Sequence, residues 1–404
     1  MTDDLKILLE LAWQYKEISE KPIYGELRAL WRSHNSLIKG RVPVIVLCGP
    51  WDAMGSEILT TDKLLSSDAF YKKVEYELRY GIFMDYINDD SIVEPLIKLR
   101  PVFGCAGWGV RLQHKRTEGS ETYQILPAVA GEDDLQKLIS PSHLINEKET
   151  QKNYEMAMEA IGDILPVIID KSPYYVSLAG DISYWLGQLA GIEQIMLNVY
   201  DQPEFMHKLL AHLRDGIKKT HQEALKAGHW KSVSGQNQSM TYSQELPDPS
   251  CDGESLPISK IWGFFAAQEF ALISPEMHKE FLLDYQMPLM EQFGLIAYGC
   301  CEDLTNKISM LRQIPNLRRI AVSPFANAKS SAEQIERDYV ISYRPNPAVL
   351  AETNWSPKNS ALAIQNEVNQ LKDSIYDITM KDVTTVRGEP SRLADWVKAV
   401  KEIL

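Results

Sequence analysis

No stretch of this 404-residue chain approaches the roughly 20 consecutive apolar residues that a bilayer-spanning helix needs, so no transmembrane segment is expected. Basic blocks are missing as well. The formal charge is −13, with 42 Lys and Arg against 55 Asp and Glu, which argues against a nucleic-acid or anionic-membrane surface. Cysteine is scarce, odd in number at five and widely scattered, and that is no disulfide framework. The opening MTDDLKILLELAWQYKEI sets acids before an amphipathic helix rather than basic residues before an apolar core. No secretory leader is therefore expected, and a cytoplasmic location with reduced thiols is. No Gly-rich phosphate fingerprint follows the first strand-like run, and no G-x-S-x-G elbow is present. None of the eight histidines forms an H-x-x-x-H or H-x-C pair.

What is present is regular alternation. Two helical patterns, 3–19 and 22–35, precede the β-branched run Val42–Cys48, which Gly49-Pro50-Trp51 closes as a turn closes a buried strand. Residues 62–87 read as helix, and Ile92 to Cys105 as an extended segment ending in a Gly-rich turn. The polar stretch 115–150 reads as a hairpin or excursion. From about 150 the chain alternates: strands at 164–170, 259–266, 294–300, 317–322, 339–343 and 374–380, with helices between them. The long helical pattern 183–227 breaks at Asp201-Gln202-Pro203, an acidic cap followed by a proline in a first turn. Strands alternating with helices mean βαβ units and a parallel sheet. The expectation is α/β: one closed (β/α)8 TIM barrel over 1–404, with a helical N-terminal extension at 1–40. An open doubly wound sheet is the alternative. The extra N-terminal helices offer a face for a homodimer.

In a barrel, functional groups gather at the C-terminal ends of the strands. One such end reads Gly263 to Glu269, and the next reads Tyr298-Gly299-Cys300-Cys301-Glu302-Asp303. Two thiols and a carboxylate on neighbouring strand ends suit zinc, which takes S and O donors tetrahedrally. Successive strand residues point to opposite faces, so Cys300 and Cys301 both ligate only if the strand stops at Gly299 and the chain turns. Otherwise one is a ligand and the other a packed thiol. Trp51, Trp108 and Trp262, near strand ends, line an aromatic pocket or pack in the core. His278 is expected on a helix surface, His207, His212 and His221 in solvent, and Arg318-Arg319 in a solvated turn.

The segments AAQEFALISPEMHKEF, FGLIAYGCCEDL, IPNLRRIAVSPFAN, YRPNPA and KDVTTVRGEPSRLADW span about 260–400. Together they resemble the uroporphyrinogen decarboxylase superfamily, in its branch of corrinoid-dependent methyltransferases. The coenzyme M enzymes of that branch carry a His-x-Cys zinc pair, where this chain has Tyr298-Gly299-Cys300 or Gly299-Cys300-Cys301. The missing histidine turns the resemblance towards the methyltransferase components of O-demethylases. These move a methyl group from an aromatic methyl ether to the cob(I)alamin of a separate corrinoid protein. The resemblance implies Glu269 and Cys301 as zinc ligands, with Cys300 or Glu302 as the third and Asp382 a weaker candidate. It also implies Glu269 and Glu302 in catalysis, and Trp51, Trp108, Trp262 and Tyr298 around the substrate. A metal-independent decarboxylase or lyase of the parent superfamily is the alternative. The early arginine-rich segment of the porphyrinogen decarboxylases is replaced here by Cys48-Gly49-Pro50-Trp51-Asp52.

Overall fold

The computed structural model describes residues 2–105, 107–116, 123–251 and 254–404. The chain opens with α1 (Asp3–Ser19), where the Thr2 side chain accepts from Leu5 N–H and two acids in the first turn face the positive end of the helix. Its Leu8, Leu11, Ala12, Tyr15 and Ile18 form one buried stripe at helical spacing. Helix α2 (Pro22–Asn35) starts on a proline, and α3 (Ala69–Ile87) is capped by Asp68 and stopped by Asn88 in the left-handed conformation. Between them lies β1 (Val44–Leu47). The remaining strands are β2 (Ile97–Leu99), β3 (Phe103–Cys105), β4 (Gln113–Arg116), β5 (Tyr123–Leu126), β6 (Leu144–Ile145) and β7 (Val167–Ile169), followed by β8 (Trp262–Phe265), β9 (Leu295–Tyr298), β10 (Leu317–Val322), β11 (Val340–Tyr343) and β12 (Tyr376–Lys381).

Six of these strands form one sheet in the order β1-β12-β11-β10-β9-β8, parallel throughout. Both faces are covered, so the strands are apolar without strict alternation. The concave face carries Trp262, Phe264, Leu295 and Ala297 towards one edge. The excursion contains the β4–β5 hairpin and β6, which pairs with β3; its EGSET segment lies outside the described residues. Among the described residues no helix is long and apolar enough to cross a membrane.

The expected closed barrel of eight strands is not formed. The sheet is an open half-barrel, and β2 and β7 pair only with each other. Both of its edges are satisfied by groups that are not strands. On the outer edge of β1, Val44 N–H donates to Asp90 Oδ2 at 2.8 Å and Val46 N–H to Asp89 Oδ2 at 2.7 Å. Asp90 N–H donates in turn to the Val44 carbonyl. At the β8 edge Gln236 N–H reaches the Trp262 carbonyl at 3.3 Å. Backbone groups already paired have no need of another strand, so the ladder stops.

Asp90 is held by Arg41 and Lys401, whereas Asp89 is wholly buried, and burial pushes its carboxyl up to about 7 against its bonds from Val46 and Ser91. A carboxyl raised on folding stabilises fully below its unfolded pKa, and that stabilisation is lost as pH rises through the folded value. Chemical unfolding of wild type and Asp89→Asn is expected to show the wild type losing roughly 2 kcal/mol relative to the variant between about pH 5 and about pH 8. A pH-independent difference would contradict this.

Candidate active site

The C-terminal ends of β8, β9, β11 and β12 meet at one rim. Strand β9 stops at Tyr298 because Gly299 takes φ +101°, where a Cβ would lie 2.6 Å from Leu304 Cδ1 and 3.0 Å from Ala321 Cβ. The turn breaks the alternation of the strand, and both thiols come to the same place: Cys300 Sγ lies 3.6 Å from Cys301 Sγ. Of the two arrangements left open by the sequence, the structure has the turned one. Glu302 fixes the turn. Its Oε2 accepts from Cys300 N–H at 2.8 Å and its Oε1 from Ala267 N–H at 2.7 Å, tying the end of β9 to that of β8.

Two cations close on the sulfurs. Lys381 Nζ sits 3.0 Å from Cys300 Sγ and 3.7 Å from Cys301 Sγ. The buried Arg344 guanidinium donates to the carbonyls of Cys300 and Gly299. Asp382, with φ +59°, brings Oδ2 to 3.2 Å from Cys301 Sγ. The Cys301 hydrogen bond, with Arg344 and Lys381 beside it, holds the Cys300 thiol well below its ordinary pKa, while Cys301 as the donor is pushed up. Gln238, also in a left-handed backbone conformation, aims Nε2 at Cys300 Sγ at 3.7 Å, and its Oε1 is buried with no partner.

Glu269 stands apart from the sulfurs on the short helix Gln268–Phe270. Its Oε2 accepts a hydrogen bond from the Ser183 hydroxyl, and its stem packs on Gly187, where a Cβ would lie 2.7 Å from Glu269 Cγ. Both contacts come from the helix Ile182–Ala190. Burial, then the negative charges of Glu302 and Cys300, raise its pKa and favour the protonated acid. Asp181, which caps that helix, is raised by burial and by Glu269.

The other expected site residues are spread out. Trp51 is almost wholly exposed after β1. Trp108 is buried against Tyr175 and Trp185, and Trp262 is buried on the concave face with its indole N–H on the Thr241 carbonyl. Tyr298 is buried with its hydroxyl between His278 and Gln286. His278, expected on the surface, is therefore inside, and so is His221, which bonds the Tyr175 carbonyl. Lys381, Arg344, Ser183 and Gln238 had no role in the sequence reading. The first two stand at strand ends, which was the available signal.

Among the described residues no group of three or more His, Cys, Asp and Glu side chains is arranged to hold a metal ion. The sulfur pair alone has suitable spacing, since two thiolates on a tetrahedral zinc lie roughly 3.8 Å apart. Asp382 is the carboxylate beside the pair, while Glu302 is engaged by backbone N–H groups and Glu269 by Ser183.

No family model and no curated protein matches the sequence. Chains of 22 solved structures do match. One is a methyltransferase from Methanosarcina mazei, 10% identical, with a TM-score of 0.48 over 93% of this chain and 98% of that one. A likeness at that level carries no argument about chemistry.

Gly299→Ala is expected to destabilise the protein by about 2 kcal/mol or more, through the positive φ and the overlap with Leu304. Because the sulfurs would separate, thiol alkylation at Cys300 should change in rate; an unchanged rate and stability would contradict the role of the turn.

Proposed function

We propose that this chain is a methyltransferase that moves a methyl group from an aromatic methyl ether to the cob(I)alamin of a separate corrinoid protein. The observation that carries the reading is the Cys300–Cys301 sulfur pair at the open end of the sheet, with the buried acid Glu269 within electrostatic reach. An aryl methyl ether is inert because phenolate is a poor leaving group. Charge develops on the ether oxygen only in the transition state, so a proton or cation placed there acts selectively on the barrier. Glu269, whose carboxyl is raised by burial and anchored by Ser183, is the acid placed to give a proton to that oxygen as the carbon–oxygen bond breaks and the methyl passes to the partner's cobalt. Ser183 and Gly187 hold the carboxyl in place, and Glu302 keeps the turn rigid. Cys300 and Cys301, with Asp382 beside them, are the residues that would hold zinc, and a zinc ion there supplies a Lewis acid.

The reaction needs a partner over the site. Three large apolar side chains stand out on the loops at the strand ends: Trp51 after β1 is 94% exposed, Leu272 after β8 is 86% and Phe325 after β10 is 78%. Single exposed apolar residues are ordinary, but three at one end of a sheet favour a protein partner there. The decarboxylase reading needs free guanidinium groups for carboxylates. Arg344 is engaged by two carbonyls, and Arg100 by Asp170, Ser172 and Pro173.

The test is absorbance-monitored methylation of a cob(I)alamin-loaded corrinoid protein with a panel of methoxyarenes. Wild type is expected to turn over, and Cys301→Ala to lose its zinc and on the order of 100-fold in rate. Full rate in zinc-free protein would sink the metal, and no turnover with any ether would sink the reading. Trp51→Ser with Phe325→Ser is expected to raise the corrinoid protein concentration needed for half-maximal rate by about ten-fold while leaving zinc content unchanged.

A further inference from the structure

Adjacent residues are poor disulfide partners, because their Cα atoms stand about 3.8 Å apart where the bond usually takes about 4.4–6.8 Å. Neighbours in a strand also point to opposite faces. Cys300 and Cys301 escape the second constraint. The left-handed Gly299 ends the strand, Arg344 donates to the carbonyls of Gly299 and Cys300, and Glu302 holds the Cys300 N–H. The backbone is thus pinned with the two sulfurs in contact, at 3.6 Å against the about 2.05 Å of a covalent bond.

The groups around the two sulfurs differ, and the difference sets a direction. Cys300 faces Lys381 Nζ at 3.0 Å, an ammonium that favours the nucleophilic thiolate. Cys301 is the more exposed of the two and donates its S–H to Asp382 Oδ2 at 3.2 Å. That carboxylate pairs with Lys381 at 3.4 Å and is placed to take the proton away. Gln238 covers Cys300 with its amide, Nε2 at 3.7 Å, and its Oε1 is buried with no partner among the described residues. An S–OH group on Cys300 would carry the donor that this acceptor lacks. A sulfur set to attack, a second set to give up its proton and a waiting acceptor are the parts of a peroxide-oxidised cysteine pair.

We infer that Cys300 and Cys301 form a reversible modification site, at which a hydroperoxide converts the two thiols into a disulfide between neighbouring residues. Cys300 Sγ attacks the terminal oxygen of the hydroperoxide. The S–O bond forms, the O–O bond breaks, and the alcohol leaves after taking one proton from solvent. Two electrons pass from sulfur to the peroxide. Cys301 Sγ then attacks Cys300 Sγ as its proton moves to Asp382. The S–O bond breaks, hydroxide leaves, and the proton held by Asp382 completes it as water. The sum is two thiols and a hydroperoxide to a disulfide, an alcohol and water. The narrow Cα spacing strains the product, and a strained disulfide is easily reduced, so the pair is a labile switch rather than a staple. Sulfurs bonded to each other cannot share a metal, so the oxidised form holds no zinc between them. This chemistry needs only the sulfur pair and its neighbours, and it is independent of methyl transfer.

Peptide mass mapping of the full chain after brief treatment with hydrogen peroxide, with alkylation of the remaining thiols, is the test. The peptide carrying both cysteines is expected to lose two hydrogens without a crosslink to a second chain. It should do so at least about ten-fold faster than the exposed lone thiol of Cys251 is oxidised. Reduced glutathione is expected to restore both thiols. Cys301→Ser is expected to stop at the sulfenic acid of Cys300, captured by dimedone. Asp382→Asn, which suits the left-handed backbone there, is expected to accumulate the same acid by slowing the second step about ten-fold. Thermal unfolding checks that each variant is folded. A pair oxidised no faster than Cys251, an oxygen kept on Cys300 or bridged to Lys381 in wild type, or a disulfide that glutathione leaves intact would each overturn the inference.

Discussion

The satisfaction of one strand edge decides the rest of this architecture. A parallel strand with an unpaired edge either recruits a neighbour or leaves buried N–H groups without partners. In β1 those groups go to Asp89 and Asp90, two consecutive carboxylates at the foot of α3. The two acids have different support. Asp90 has the cations Arg41 and Lys401, and Asp89 has only Ser91 and backbone donors in a buried setting. The edge is thus held by hydrogen bonds that a neighbouring strand would otherwise make. The gap and the half-barrel outline follow from this substitution of side chain for strand.

Across the sheet the same economy of backbone bonding shapes the reactive end. Glu302 looks like a ligand in the sequence, yet it works as a brace, since both of its oxygens are taken by N–H groups of β8 and β9 loops. That brace is what allows Gly299 to hold a conformation few residues tolerate, and the conformation brings two adjacent thiols together. Chain direction, rather than ligand spacing, made the pair. Glu269 is oriented by the helix beside it, through a serine at one turn and a glycine at the next.

Much of this was legible in the sequence. The β10 run was expected at 317–322 and is found there, and α1 and α2 occupy the expected 3–19 and 22–35. The break at Asp201-Gln202-Pro203 separates two helices as proline requires. Periodicity reports which face is apolar, however, and not what pairs with an edge, so several strand runs were readable while the eight-strand count and the closure were not. Arg319 shows a second limit. It reads as a solvated turn residue, yet it is buried in β10 with Asn35 Oδ1 at 2.9 Å and Asp377 Oδ2 at 2.7 Å. His34 completes the set, and despite burial Asp377 is held at about 2 by the Arg319 charge and the His34 hydrogen bond. The partners of Arg319 lie 284 and 58 positions away in the chain, and no local pattern announces them. His278 was misplaced for the same reason, because its partner Tyr298 lies on a different element.

The concave face therefore carries a column of positive groups: Arg319 low on β10, Arg344 at the end of β11 and Lys381 at the end of β12. The first is neutralised by Asp377 and its charge is closed off. The other two have no buried carboxylate between them, and the negative group they surround is the Cys300 thiolate. A thiolate in a dry site needs a cation within a few ångströms. Lys381 meets that need from 3.0 Å and stands 3.7 Å from Cys301 Sγ as well, so one ammonium faces both sulfurs.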